Sequence, residues 1–196
     1  MSEFNYFVKQ FGKPTGFFGR FLSTIMNMSN RKMYHANLKK VSDAKKILEI
    51  GFGNGKQLQM ICRSLTDKEL YGIDISEDML NIARKKLGNK AELTVAHAEN
   101  IPFGSDFFDA IITTDTCYFW KEPRKVLMEI DRVLKNKGIF VNSMNTMYAR
   151  SVNKTRKEEC ASDMEKLIRL SQDTSLEVIS KQKLSRNEEQ VVFIKH

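Results

Sequence analysis

The chain has 196 residues, enough for one domain with a substantial core, and 41% of them are hydrophobic. No apolar run approaches the ~18 residues of a membrane span, and the first residues lack the apolar stretch and cleavage pattern of a signal peptide. Cys62, Cys117 and Cys160 are far apart and odd in number, which disfavours a disulfide framework or a zinc site and fits a reducing cytoplasm.

The net charge of +8 is unevenly spread. Residues 1–46 hold nine Lys/Arg against two acids, residues 47–146 thirteen against fourteen, and residues 147–196 ten against eight. The excess therefore lies in the leading segment. That arrangement points to an acidic partner met by this arm: an anionic substrate, a membrane surface or nucleic acid.

Residues 1–45 read as an aromatic and basic arm. Phe4, Tyr6, Phe7, Phe11, Phe17, Phe18 and Phe21 crowd it, and Gly12-Lys13-Pro14-Thr15-Gly16 is a turn. From Phe18 onward, Phe21, Leu22, Ile25 and Met28 keep helical spacing, so one or two helices are expected to about Lys40. The stripe fits packing on a sheet or a membrane-surface helix. Tyr34 and His35 are the arm's candidate hydrogen-bonding and titratable groups, with His35 the candidate base; a lone histidine is more often a solvated residue.

Residues 46–196 read as the main unit. Ile47, Leu48 and Ile50 form a short buried strand, ended by Gly51, Gly53 and Gly55 and followed by a helix over Lys56–Leu65. Strand, Gly-rich turn and helix make the first unit of a nucleotide-binding α/β sheet. A second strand, Leu70 to Ser76, carries Asp74 about 20 residues past the glycines, the spacing at which an acid reaches ribose hydroxyls. Ser76-Glu77-Asp78 then starts a helix that Gly88 ends.

The pattern Glu49-x-Gly51-x-Gly53-x-Gly55 differs from the dinucleotide Gly-x-Gly-x-x-Gly. Together with Asp74 it resembles the class I S-adenosylmethionine-dependent methyltransferases, of the small-molecule, type 11-like kind. The resemblance continues through a third strand, Ala91–Ala96, into His97-Ala98-Glu99-Asn100-Ile101-Pro102-Phe103, similar to the family's adenine loop. Here His97 stands where the family usually has Asp. Phe107–Thr113 is the fourth strand, and Thr113, Thr114 and Asp115 lie at its carboxyl end, where open α/β sheets bind ligands. In the next turn, Thr116-Cys117-Tyr118-Phe119-Trp120, Tyr118 and Phe119 replace a histidine pair found in relatives. Tyr118 is the second catalytic candidate, and structural packing is the equal alternative.

Pro123 opens a helix over Arg124–Leu134, Lys135–Gly138 is a turn, and Ile139–Ser143 is the fifth strand. A charged-faced helix over Lys157–Leu170 and two closing strands, Leu176–Leu184 and Glu189–Lys195, complete the chain. The resemblance implies a doubly wound, mostly parallel seven-stranded sheet, its last strand antiparallel, with the N-terminal helices as a lid. It implies S-adenosylmethionine as cofactor, with Glu49, Gly51, Gly53 and Gly55 around its amino-acid part and Asp74 and Ile75 at the ribose. His97, Ala98 and Glu99 would border the adenine, and Thr113, Thr114 and Asp115 the reacting end. No cluster of His, Cys and carboxylates suggests a metal.

The expected activity is methyl transfer to a small-molecule acceptor of anionic, aromatic or lipid-like character. A non-catalytic S-adenosylmethionine-binding protein and an RNA methyltransferase are the alternatives. Against the latter, no RNA-binding module and no Asn-Pro-Pro-Tyr-like motif is present. Contact of the arm with an anionic membrane stays open.

Overall fold

The computed structural model describes residues 30–153 and 163–196. The expected aromatic stripe from Phe4 to Met28 and the start of the helix expected from Lys157 lie outside the described residues. The helices are α1 (Arg31–Lys40), α2 (Lys56–Ser64), α3 (Glu77–Leu87), α4 (Pro123–Val133), α5 (Thr146–Asn153) and α6 (Met164–Leu170). The strands are β1 (Lys46–Ile50), β2 (Glu69–Asp74), β3 (Glu92–Val95), β4 (Phe108–Thr114), β5 (Leu134–Asn145), β6 (Leu176–Lys183) and β7 (Glu188–Lys195).

The strands form one sheet in the order β3-β2-β1-β4-β5-β7-β6. The first five run parallel, and β7 is antiparallel to both β5 and β6. Ile47, Leu48 and Ile50 of β1 are fully or nearly buried between β2 and β4. Their unbroken apolar run is what a parallel strand covered on both faces requires. The chain order reverses at β1, leaving the switch point between β1 and β4.

Two apolar layers cover the sheet. On one side Leu58 and Ile61 of α2 and Met79, Leu80, Ala83 and Leu87 of α3 pack with Val41, Ile47, Ala110 and Val141. On the other, Val126, Leu127, Ile130 and Val133 of α4 meet Leu48, Ile111, Phe140 and Phe193, together with Met164, Leu167 and Leu170 of α6. The α4 residues recur at helical spacing after Pro123, the position where a missing N–H costs nothing. At α3 the Ser76 hydroxyl accepts from Met79 N at 3.4 Å, two acids occupy the first turn, and Gly88 closes the helix at φ 57°.

Two local departures from the sequence reading have physical causes. Lys135–Gly138, expected as a turn, is drawn into β5 as an irregularity: Phe108 pairs Leu134, then Ala110 pairs Ile139. Lys137 takes φ 63° there, so the turn chemistry survives inside the strand. Helix α5 was not expected; Asn145 Oδ1 accepts from Met147 N at 3.1 Å and Tyr148 N at 3.4 Å, capping its first turn.

The described end of the arm, α1, is tied to the sheet through polar contacts. Asn37 is fully buried. Its amide donates to Thr114 Oγ1 at 2.9 Å, and its carbonyl accepts from Ser143 Oγ at 2.7 Å and Gln190 Nε2 at 2.8 Å. One side chain thus links α1 to β4, β5 and β7.

Candidate active site

The loops after β1, β2 and β4 meet at the carboxyl edge of the sheet, and the Gly-rich loop occupies its centre. Gly53 takes φ 53°, and a Cβ built there meets nothing within 4 Å, so the backbone faces open space. Gly51 has a different constraint: its φ is 76° and a Cβ would overlap the Thr116 methyl group. At Gly55 a Cβ would stand 3.0 Å from Ala83 Cβ and Leu87 Cδ1, so this glycine lets α2 approach α3.

Glu49 precedes the loop and is 3% exposed. Burial first, then the nearby Asp74 charge, pushes its carboxyl well above the usual range, and a backbone bond from Leu58 offsets part of this. Its Oε2 is buried with no hydrogen-bond partner in the protein. A buried lone pair of this kind is costly unless a ligand donates to it.

Asp74 ends β2 and locks the loop from the other side. Its Oδ2 accepts from Gly53 N at 2.8 Å and its Oδ1 from Ser76 N at 2.9 Å. A carboxylate has about four lone-pair sites, so the group is built to accept from several donors at once. Ile75 beside it is half-buried. Farther along the edge, Ala98 is 8% exposed and Glu99 Oε1 accepts from Lys121 N at 3.2 Å. His97 is exposed, its Nδ1 3.9 Å from Glu99 Oε2.

At the end of β4, the hydroxyls of Thr113 and Thr114 are committed to the protein. Thr113 donates to Ile50 O at 3.1 Å and pairs with Thr116, while Thr114 donates to Gln57 Oε1 at 2.8 Å. Asp115 follows in the left-handed region at φ 57° and is 3% exposed. Its Oδ1 accepts from Asn145 N at 2.6 Å, whereas Oδ2 is buried without a partner. Burial raises its pKa from 3.8 to about 6, against hydrogen bonds from Asn145, Tyr118 and Asn30.

The two catalytic candidates fall in contrasting places. His35 lies on the exposed face of α1. Tyr118 is 1% exposed, and its hydroxyl is bonded to Asp115, so it braces that carboxylate from within the core. Tyr34, the neighbour of His35, turns the other way. Its phenol is pushed far up by burial and then by the charges of Glu49 and Asp115, so it feels both carboxylates of the site. The sequence signal was helical spacing: Tyr34 lies next to the buried Met33 and three residues before the buried Asn37. Asn30 and Asn145 carry no motif and enter the site only through the fold.

Residues 48–142 match the methyltransferase domain family. An uncharacterized methyltransferase, YdaC, of Bacillus subtilis is 34% identical over 93 residues, covering 47% of this chain and 51% of that protein. The demethylmenaquinone methyltransferase of Thermotoga maritima is 38% identical over 96 residues, covering 49% and 42%. The fatty-acid O-methyltransferase of Mycolicibacterium smegmatis is 25% identical over 118 residues, covering 59% and 43%. The chain thus spans about half the length of the curated relatives it matches. Among solved structures, a putative methyltransferase in complex with the Haloferax volcanii Trm112 activator superposes with a TM-score of 0.77 at 17% identity, over 91% of this chain and 95% of that one. A SAM-dependent methyltransferase from Aquifex aeolicus gives 0.70 at 19% identity, over 89% and 98%. Residues 48–142 belong to the methyltransferase domain family, and the fold built around them is that of the class I S-adenosylmethionine-dependent methyltransferases.

Proposed function

We propose that this chain transfers a methyl group from S-adenosylmethionine to a small-molecule acceptor. The observation that carries this reading is one constellation: the unpartnered buried oxygen of Glu49, the open space before Gly53 and the Asp74 carboxylate holding the Gly53 N–H. These residues fit the cofactor. Glu49 offers an acceptor to its ammonium group, Gly53 leaves room for its approach to the backbone, and Asp74 offers lone pairs to the ribose diol. Ile75, His97, Ala98 and Glu99 would flank the ribose and adenine, and Thr113, Thr114 and Asp115 the reacting end.

The bound cofactor supplies a sulfonium-activated methyl group, so the protein's task is chiefly to bind and align. The names of two relatives, a demethylmenaquinone and a fatty-acid O-methyltransferase, favour an aromatic or lipid-like acceptor here. The positive charge of residues 1–46 favours an acidic surface as the place where such an acceptor is met. Among the described residues, no helix is long and apolar enough to cross a membrane.

The test is incubation with methyl-labelled S-adenosylmethionine and two acceptors, a demethylmenaquinol and a long-chain fatty acid. Label in an organic-soluble product, lost in Asp74→Ala, supports the reading. Cofactor binding without transfer to these or a wider small-molecule panel would favour the non-catalytic alternative.

A further inference from the structure

We infer that Asp115 is the general base of this site, and that the acceptor arrives as a protonated hydroxyl or amine whose proton passes to Asp115 Oδ2. The inference rests on the methyl-transfer reading above and narrows its acceptor class.

Three observations converge on this carboxylate. It stands at the carboxyl end of β4, beside the switch point where the sheet binds ligands. Its backbone is left-handed at φ 57°, a region uncommon for side-chain-bearing residues in general though one that Asp enters more readily than most, and this marks the turn out of β4. One oxygen is pinned by Asn145 N at 2.6 Å while the other is buried and unpartnered. A structural carboxylate this deep would have both oxygens satisfied. A base needs what is found: one oxygen to orient the group and one left to accept a proton.

The groups around it support the role. Tyr118 and Asn30 act on the carboxyl as nearby donors that lower its pKa, Glu188 of β7 acts on it as a like charge, and Tyr34 and Cys117 feel its charge in turn. Burial holds Tyr34, Tyr118 and Cys117 well above their ordinary values, so all three stay protonated near neutral pH. Asp115, at about 6, ionises near neutrality. Tyr118 is then a positioning residue that donates to the base.

None of these groups is a cation. An acceptor atom arriving already ionised would meet the like charge of Asp115, with only the cofactor's sulfonium to offset it. One carrying O–H or N–H would give Oδ2 the hydrogen bond it lacks. In the step, the acceptor's lone pair bonds the methyl carbon as the carbon–sulfur bond breaks, its electron pair remaining on sulfur. The acceptor's proton moves to Asp115 Oδ2 and is later released to solvent.

The test compares the wild-type chain with Asp115→Asn. Asparagine keeps the shape and adopts the left-handed region readily, so folding, checked by thermal unfolding, is expected to persist. Methyl-labelled S-adenosylmethionine is offered with 2-naphthol, 1-dodecanol, dodecylamine and dodecanoate from about pH 5 to about pH 8.5. Label is expected in at least one hydroxyl or amine probe and not in dodecanoate, with a wild-type rate falling below about pH 6. Asp115→Asn is expected to be slower by about 100-fold or more, a loss larger than any fall in cofactor affinity read by calorimetry. Four results would overturn the inference: transfer to dodecanoate, no transfer to any hydroxyl or amine probe by cofactor-bound protein, an unchanged Asp115→Asn rate, or cofactor affinity lost together with activity. Failure of the wild-type protein to bind the cofactor would instead remove the methyl-transfer reading on which this one stands.

Discussion

Burial gives Asp115 a folded-state pKa of about 6, above the ordinary 3.8, so the folded state binds this proton more tightly than the unfolded state. As pH rises from about 4 to about 6, the unfolded chain releases the proton first and stability falls; above about 6 the full cost is present. Asp115→Asn removes that cost. Its stability, read by thermal unfolding, is expected to exceed the wild type's near pH 7.5 by up to roughly 2–3 kcal/mol, and the difference should fade toward pH 4. A variant less stable than wild type at every pH would contradict the burial argument. Asp74→Ala has a different expected signature: cofactor binding weaker by roughly 1–3 kcal/mol, read by calorimetry. At this scale the placement of residues that depends on local spacing was legible in the sequence. Glu49, Gly53 and Asp74 are fixed by the strand–turn–helix unit and the strand beside it. It did not distinguish Tyr34 from His35. Adjacent helical residues point about 100° apart, and only the packed face of α1 decides which one turns inward.

The element that most changes the view of the arm is α1. A lid that swings free would present a polar face to water. Here Asn37 instead satisfies Thr114, Ser143 and Gln190 inside the protein. Asn37→Ala leaves those three buried partners without its amide, and a loss on the order of 3 kcal/mol in denaturant unfolding is expected. A loss under about 0.5 kcal/mol, as at an exposed site, would mean that α1 is only loosely held. Elements with strong signals were legible: β1, β2, α3 and α4 follow their apolar patterns, caps and breakers within a residue or two. The full length of β5 was not, because Lys135–Gly138 carries turn residues that the neighbouring Phe108 pairing draws into the strand. Helix α5 had a readable cap in Asn145, but the strand leading into it ended two residues later than its apolar run suggested.

Across the molecule, the order β3-β2-β1-β4-β5-β7-β6 brings the Gly-rich loop, Asp74 and Asp115 to one edge although they are up to 64 positions apart. That convergence follows from parallel strands, whose carboxyl ends all face the same way. It was legible from the alternation of strands and helices, whereas the buried polar links among α1, β4, β5 and β7 were not, because they depend on side chains far apart in sequence. A ligand that binds the folded edge alone must stabilise the whole chain. At about 100 times its dissociation constant, S-adenosylmethionine is expected to add about 2.7 kcal/mol, a rise of roughly 5–10 °C in Tm.

Calorimetric titration of the chain with S-adenosylmethionine and with its demethylated product decides whether this edge of the sheet is a cofactor site. Micromolar binding of both is expected, weakened about fivefold or more in Asp74→Ala. A folded wild-type protein that binds neither would contradict this expectation.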